Sequence, residues 1–354
     1  MNPPVLPFEP VREPVRTGVV GLGYWGPNLI RNLNELDGAD LRWMCDLDEA
    51  RLRSIGRRYP AVRPTMSFDD LLCDSGLEAI VIATPVSTHY PLALNALRAG
   101  KHVFIEKPLA ASSEEAEELM GVAEEQGLTL MPGHTFLYSP PVNMIRELIQ
   151  SGELGDIYFI STSRVNLGLH QSDVSVAWDL GPHDFSILRY WLDETPAHVS
   201  AISRSCIFPQ IPDVAFINLE YGSGAIAHVE LSWLAPSKLR RTTVVGSKKM
   251  VVYDDVSTEP VRVFDTGVML RDPQSFGEFQ LSYRTGDIIS PAVQAAEPLQ
   301  LEMADFCQSI RTGAMPRSSA LVGAAVVRMI EAVDCSLENG GERVALSGAP
   351  ELAA

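Results

Sequence analysis

The most constraining feature of this sequence is a glycine turn set between a strand pattern and a helix pattern. Val15-Arg16-Thr17-Gly18-Val19-Val20 reads as a strand and Gly21-Leu22-Gly23-Tyr24-Trp25-Gly26 as the turn. Pro27 to Leu36 then reads as a helix with Leu29, Ile30 and Leu33 on one face. Glycine-rich turns are common, so the motif alone is weak; its place after a strand and at a helix start gives it weight. Gly21 permits the tight turn, Gly23 lets a ligand approach the backbone, and Gly26 lets helix and strand pack closely. The helix start offers free N–H groups and the positive end of its dipole to phosphates. Tyr24 and Trp25 fill the variable positions and border any dinucleotide held there, although a ring as large as Trp25 is more often packing.

Dinucleotide binding also needs an acid at the end of the second strand. Asp46 stands 20 positions after Gly26, directly behind Arg42-Trp43-Met44-Cys45. A carboxylate there accepts both adenosine ribose hydroxyls and repels a 2′-phosphate, so the expected cofactor is NAD. The alternative is that Asp46 merely caps the helix that follows, a role Asp48 could fill instead.

Two rhythms divide the chain. Up to about residue 131, apolar strands (Asp40–Cys45, Ala79–Ala83, His102–Ile105) alternate with helices (through Leu52 and Ile55, and Pro91 to Ala99, closed by Gly100). Such alternation builds a doubly wound parallel sheet. After helix Val142–Ser151, strand Ile157–Ser161 and a helix around Asp184–Leu192, strands follow without intervening helices: Ala215–Tyr221, Ala225–Trp233, Thr242–Val245 and Met250–Tyr253. Their glycine-containing connections predict antiparallel pairs in a large open sheet. Helices near Leu299–Thr312 and Ser319–Asn339 close the chain and return towards the nucleotide domain. The expected organisation is a proline-rich arm over 1–14, a Rossmann domain over 15–133 and an α/β substrate and oligomerisation domain over 134–354.

Catalytic chemistry is suggested at two places. Glu106-Lys107-Pro108 lies at the C-terminal end of a buried strand, the end that faces the ligand crevice in an open parallel sheet. A lysine there can hold a substrate hydroxyl and stabilise developing alkoxide. In Trp178-Asp179-Leu180-Gly181-Pro182-His183-Asp184, Asp179 and His183 stand four apart and share one helical face. An imidazole accepts a hydroxyl proton near neutrality, and a carboxylate can orient it. Among the other histidines, His134 and His170 are possible pocket residues. No third ligand stands at a metal-like interval, which argues against a metal.

The formal net charge of −17 excludes a nucleic-acid partner, since phosphates demand a basic face, and suits a cationic small molecule. No run approaches the ~18 apolar residues of a membrane span. The five scattered cysteines suggest reduced thiols and a cytoplasmic protein.

On Gly21–Gly26, Asp46, Thr84-Pro85 with His89, Glu106-Lys107-Pro108, Asp179 with His183, Glu302 with Phe306, and Pro316-Arg317-Ser318-Ser319, the chain resembles the Gfo/Idh/MocA oxidoreductases over essentially its whole length after the arm. The resemblance implies hydride transfer between nicotinamide and a sugar or polyol carbon. It puts Lys107, Asp179 and His183 in the catalytic positions, and Thr84, Pro85, His89, Glu106 and Lys107 beside the cofactor. It also implies a homo-oligomer, dimer or tetramer, joined through the C-terminal sheet. Val86 departs from the family pattern, in which Asn commonly follows Thr-Pro. Gly133–Pro140, Arg164–Gly168, Trp178–Asp184, Pro236–Arg240 and Gly246–Met250 resemble the sugar 3-dehydrogenase branch. The expectation is therefore an NAD-dependent dehydrogenase oxidising a secondary hydroxyl, at C3, of a sugar or amino-sugar unit to a ketone in nucleotide-sugar or aminoglycoside antibiotic synthesis. Tyr138, Arg164, Asn166 and His183 would contact the sugar. A nucleotide-linked substrate would use Arg164, Lys238, Arg240 or Arg241 against its diphosphate, and an aminoglycoside-like one the excess acid. The same residues run in reverse would make an NAD(P)H-dependent 3-keto-sugar reductase. A non-catalytic NAD-binding regulator would be expected to lack Lys107 or His183.

Overall fold

The computed structural model describes residues 13–168, 170, 174–271 and 280–346; all but the last two residues of the proline-rich arm lie outside these. Two compact units divide the chain: residues up to Ser139 with Ala296–Arg328, and Pro140–Ala295 with Met329 onward.

In the first unit the strands are β1 (Val15–Val20), β2 (Ala39–Cys45), β3 (Arg63–Thr65), β4 (Ala79–Ile82), β5 (His102–Glu106) and β6 (Leu130–Gly133). They form one parallel sheet in the order β3-β2-β1-β4-β5-β6. Its helices are α1 (Gly26–Glu35), α2 (Glu49–Gly56), α3 (Phe68–Cys73), α4 (His89–Arg98) and α5 (Ser113–Glu125). β4 is buried at every position, as its unbroken Ala-Ile-Val-Ile run predicts for a strand covered on both faces. The order reverses between β1 and β4, and ligands of open α/β sheets bind at such a reversal, beyond the carboxyl ends of the strands.

The boundary of this unit departs from the expected 133/134. Thr135 and Tyr138 donate hydrogen bonds to Glu302 and Asp305 (both 2.6 Å), and Ser318 Oγ donates to the Pro132 carbonyl (2.5 Å). These ties bring the later helix α8 (Pro298–Thr312, named here ahead of α6 and α7) and the turn after it into the first unit. Arg311 of that helix binds Glu78 through two nitrogens, at 2.7 and 2.9 Å.

The second unit opens with α6 (Pro140–Gln150), β7 (Ile157–Leu167) and α7 (Val176–Leu192). β8 (His198–Arg204), β9 (Val214–Glu220), β10 (Ile226–Ser232), β11 (Leu234–Gly246), β12 (Met250–Asp254), β13 (Val261–Arg271) and β14 (Gln280–Ile289) follow, and β15 (Val344–Ala345) comes last. Among the described residues they make one mixed sheet, ordered β14-β13-β12-β11-β7-β10-β9-β8-β15. β7 and β10 pair parallel, whereas β9–β10 and β11–β12 are the antiparallel hairpins expected from their glycine turns. The final helix, α9 (Ala320–Glu338), has its residues from Met329 in this unit.

α7 starts well before the expected Asp184 and runs through Pro182. An interior proline costs the helix one N–H and crowds the carbonyl four residues back; α7 nevertheless continues through Pro182, with buried residues on both sides of it. Gly181, Pro182, Phe185, Ile187, Leu188 and Trp191 are all buried on this helix.

Candidate active site

The glycine turn has the shape of a dinucleotide cradle. Gly21 has φ +92°, and a Cβ there would lie 2.4 Å from the Ala83 carbonyl oxygen. A Cβ on Gly26 would lie 2.1 Å from the Gly21 carbonyl oxygen, so neither position admits a side chain. Gly23 differs: nothing among the described residues lies within 4 Å of its would-be Cβ, leaving a face of bare backbone open to a ligand. Asp46 accepts the Leu22 N–H (2.6 Å) and the Asp48 N–H (2.7 Å), which ties the glycine turn to the end of β2. Asp48, not Asp46, caps α2 through the N–H groups of Ala50 and Arg51. Trp25 is 41% and Tyr24 81% exposed, in edge-to-face contact with each other, so the packing expected of Trp25 is not what the fold uses it for.

Lys107 directly follows β5, on the same sheet edge as the glycine turn. Its charge bears on three buried neighbours. Burial pushes the Glu106 carboxyl up to about 7, with Lys107 pulling the other way. Burial pushes His134 down to about 3, and Lys107 adds to that. Burial also lowers His89, against the two carbonyls that face its ring, with Lys107 again lowering it. On α8, Glu302 is held well above the usual carboxylate range by burial and then by the charge of Glu106. His134 stands at this edge because it follows β6, and the return of α8 brings Glu302 to it; no local pattern joins the two.

In the second unit, Asp179 and His183 lie one turn apart on α7, both half-buried. The helix is fastened to the sheet by Asp184, which accepts from Thr162 Oγ1 (2.8 Å) and Arg164 Nε (2.5 Å). Trp178 donates from the same helix to Asp334 (2.7 Å).

Comparison with known proteins bears directly on this arrangement. Residues 15–134 match the model of the GFO/IDH/MocA oxidoreductase family, NAD-binding Rossmann fold, and residues 142–252 match that of the GFO/IDH/MocA C-terminal domain. The chain belongs to the Gfo/Idh/MocA oxidoreductase family. It is an NAD-binding oxidoreductase, and the bare backbone at Gly23 between two sterically closed glycines fits that cofactor. A curated relative, scyllo-inositol 2-dehydrogenase (NAD(+)) of Bacillus subtilis, is 27% identical over 85% of this chain and 88% of its own length. Two other curated relatives are matched over only 62% and 61% of their own length. Among solved structures, GenD2 from gentamicin A biosynthesis, crystallised with NAD, is 24% identical with a TM-score of 0.81, covering 96% of this chain and 98% of that one. UDP-N-acetylglucosamine 3-dehydrogenase GnnA from Acidithiobacillus ferrooxidans is 23% identical with a TM-score of 0.78, covering 92% and 99%.

Several residues expected at the site of this family member have other partners. His89 is 1% exposed, with its ring nitrogens facing the carbonyls of Pro108 (2.8 Å) and Thr84 (2.9 Å). It therefore braces the Thr84-Pro85 loop against the loop that carries Lys107 and is too enclosed to touch a cofactor. Tyr138 is buried, its hydroxyl donating to Asp305 and accepting the Ser318 N–H (3.1 Å), which removes it from sugar binding. Arg164 is buried in its ion pair with Asp184 and is likewise structural. Arg240 pairs with Asp255 at 3.0 Å. Asn166 remains half-buried at the end of β7.

Proposed function

We propose that this oxidoreductase oxidises a secondary hydroxyl, at C3, of an amino-sugar unit to a ketone. The observation that carries the reading is Lys107 at the carboxyl edge of the parallel sheet that bears the glycine cradle. NAD, when bound, supplies the hydride acceptor. Lys107 holds the hydroxyl oxygen and stabilises the charge that grows on it as the C–H bond breaks. His183 takes the hydroxyl proton, and Asp179 holds sugar and imidazole in register.

For the carrier of the sugar, an aminoglycoside-like cation is favoured over a nucleotide diphosphate. Two of the four cations that a diphosphate would use, Arg164 and Arg240, already face the carboxylates of Asp184 and Asp255. The chain's charge of −17 also suits a polycation. A cytoplasmic setting is in keeping with Cys45, Cys73, Cys206, Cys307 and Cys335, none of which is in a disulfide.

A homo-oligomer through the second unit's sheet is part of this reading. One face of β8, β9, β10 and β7 sets Ile202, Phe216, Ile226 and Phe159 in the open. A second copy of the chain is the partner proposed for it.

Lys107→Ala tests the chemistry. It should bind NAD as the wild type does and lose turnover by a factor on the order of 100 or more, the scale of a removed oxyanion donor. Turnover within twofold of wild type would refute the assignment.

A further inference from the structure

Trp233, between β10 and β11, is 1% exposed, and its indole Nε1–H donates to Asp179 Oδ2 at 3.1 Å. The backbone of Trp233 is pinned on two sides. Its N–H donates to the Asp213 carbonyl (2.9 Å), and its carbonyl accepts the Gly168 N–H (3.0 Å). The indole is fixed sideways as well. A Cβ on Gly168 would lie 2.9 Å from Trp233 Cδ1, and the His170 ring packs against the indole with centroids 5.4 Å apart. A buried or half-buried indole N–H takes whatever acceptor it meets: Trp191 donates to the Val142 carbonyl (2.9 Å), and Trp43 and Trp178 to the carboxylates of Asp74 and Asp334 (both 2.7 Å). What sets Trp233 apart is the place of its acceptor, a half-buried carboxylate one helical turn before His183.

We infer that Trp233 is a positioning residue for the reaction, its indole N–H fixing the rotamer of Asp179 and so the direction in which the other carboxylate oxygen points. The inference rests on the reading above, in which Asp179 works on the substrate. The indole donor narrows the orientations open to the Asp179 carboxylate; without it the carboxylate is held less firmly and meets the substrate correctly for less of the time. Gly168 belongs to the same device, because only a residue without a side chain lets the end of β7 lie this close to the indole.

The experiment compares Trp233→Phe, Gly168→Ala and Asp179→Asn in the full-length protein. The probes are NAD with UDP-N-acetylglucosamine and NAD with an aminoglycoside bearing a free 3-hydroxyl. Turnover is expressed per NAD-binding site, so that a fraction lost to misfolding does not count. Trp233→Phe keeps a ring and removes the donor; it should bind NAD at wild-type stoichiometry and affinity while kcat falls about tenfold, one hydrogen bond's worth. Gly168→Ala keeps the donor and displaces it, and should lower kcat in the same direction should Trp233→Phe fail to fold. The indole N–H resonance of Trp233 should differ between folded wild type and folded Asp179→Asn; an unmoved resonance would overturn the inference. Wild-type kcat per site in Trp233→Phe, or in Gly168→Ala where Trp233→Phe does not fold, alongside loss of activity in Asp179→Asn would overturn this inference and leave the functional reading intact. Full activity in Asp179→Asn, or a wild type that oxidises neither sugar, would overturn the reading itself and the inference with it.

Discussion

Asp46, Glu106 and His134, all at the carboxyl edge of the parallel sheet, each do work beyond what the sequence alone assigns them. The carboxylate of Asp46 accepts two backbone N–H groups, one of them from the glycine turn itself. Asp46→Ala should weaken NAD binding about tenfold or more by loosening the turn, a charge-assisted bond being worth ~1.5–3 kcal/mol. Titration calorimetry with NAD checks this, and an unchanged affinity would contradict it. His134 and Glu106 make stability respond to pH in opposite senses. His134 ionises near its ordinary 6.5 when unfolded and at about 3 when folded. Its contribution is therefore complete above about 6.5 and is lost as pH falls from there towards 3. Glu106, raised from 4.5 to about 7, contributes fully below about 4.5 and loses that contribution as pH rises through 7. His134→Gln should flatten the acid side of a Tm-against-pH curve, and Glu106→Gln should flatten its fall between about 4.5 and 7. Curves parallel to wild type would show that neither group is perturbed as described.

At the scale of elements, the closed and open glycines of the cradle should separate folding from binding. Gly26→Ala drives a methyl into the Gly21 carbonyl and should lower both Tm and NAD affinity. Gly23→Ala meets nothing in the protein, so it should leave Tm close to wild type while NAD binding drops sharply. Asp184→Ala should destabilise the protein by about 3–5 kcal/mol in denaturant melts, since it leaves the Arg164 guanidinium buried without its carboxylate. The strand-turn-helix and the parallel character of the first sheet were legible in the sequence, because period and punctuation there are local; the order of its strands was not. α7 was read too short, because Pro182 looks like a helix start and only tertiary packing carries the helix through it. Local pattern pointed to Lys107, Asp179 and His183, whose roles belong to the proposal above. The resemblance put Tyr138, Arg164 and His89 at the site, and long-range packing gives them the partners Asp305, Asp184 and the Pro108 carbonyl. Neither pattern nor resemblance could show Trp233 reaching Asp179 from 54 residues away.

The whole molecule combines a Rossmann unit with an open mixed sheet in a chain of net charge −17. If the bare face of that sheet seats a second copy, a charge at its centre should break the assembly. Phe216→Asp, on β9, should convert an oligomer to a monomer in light scattering while each unit keeps its secondary structure; an unchanged mass would place the interface elsewhere. The most direct test of the central claim follows the hydrogen that leaves the substrate. An aminoglycoside deuterated at C3 of its amino-sugar ring is incubated with NAD and enzyme, and the reduced cofactor is analysed by mass spectrometry. Deuterium in the NADH, with a 3-ketone left on the sugar, is the predicted result. Unlabelled NADH, or none formed with this sugar or with UDP-N-acetylglucosamine labelled in the same way, would contradict it.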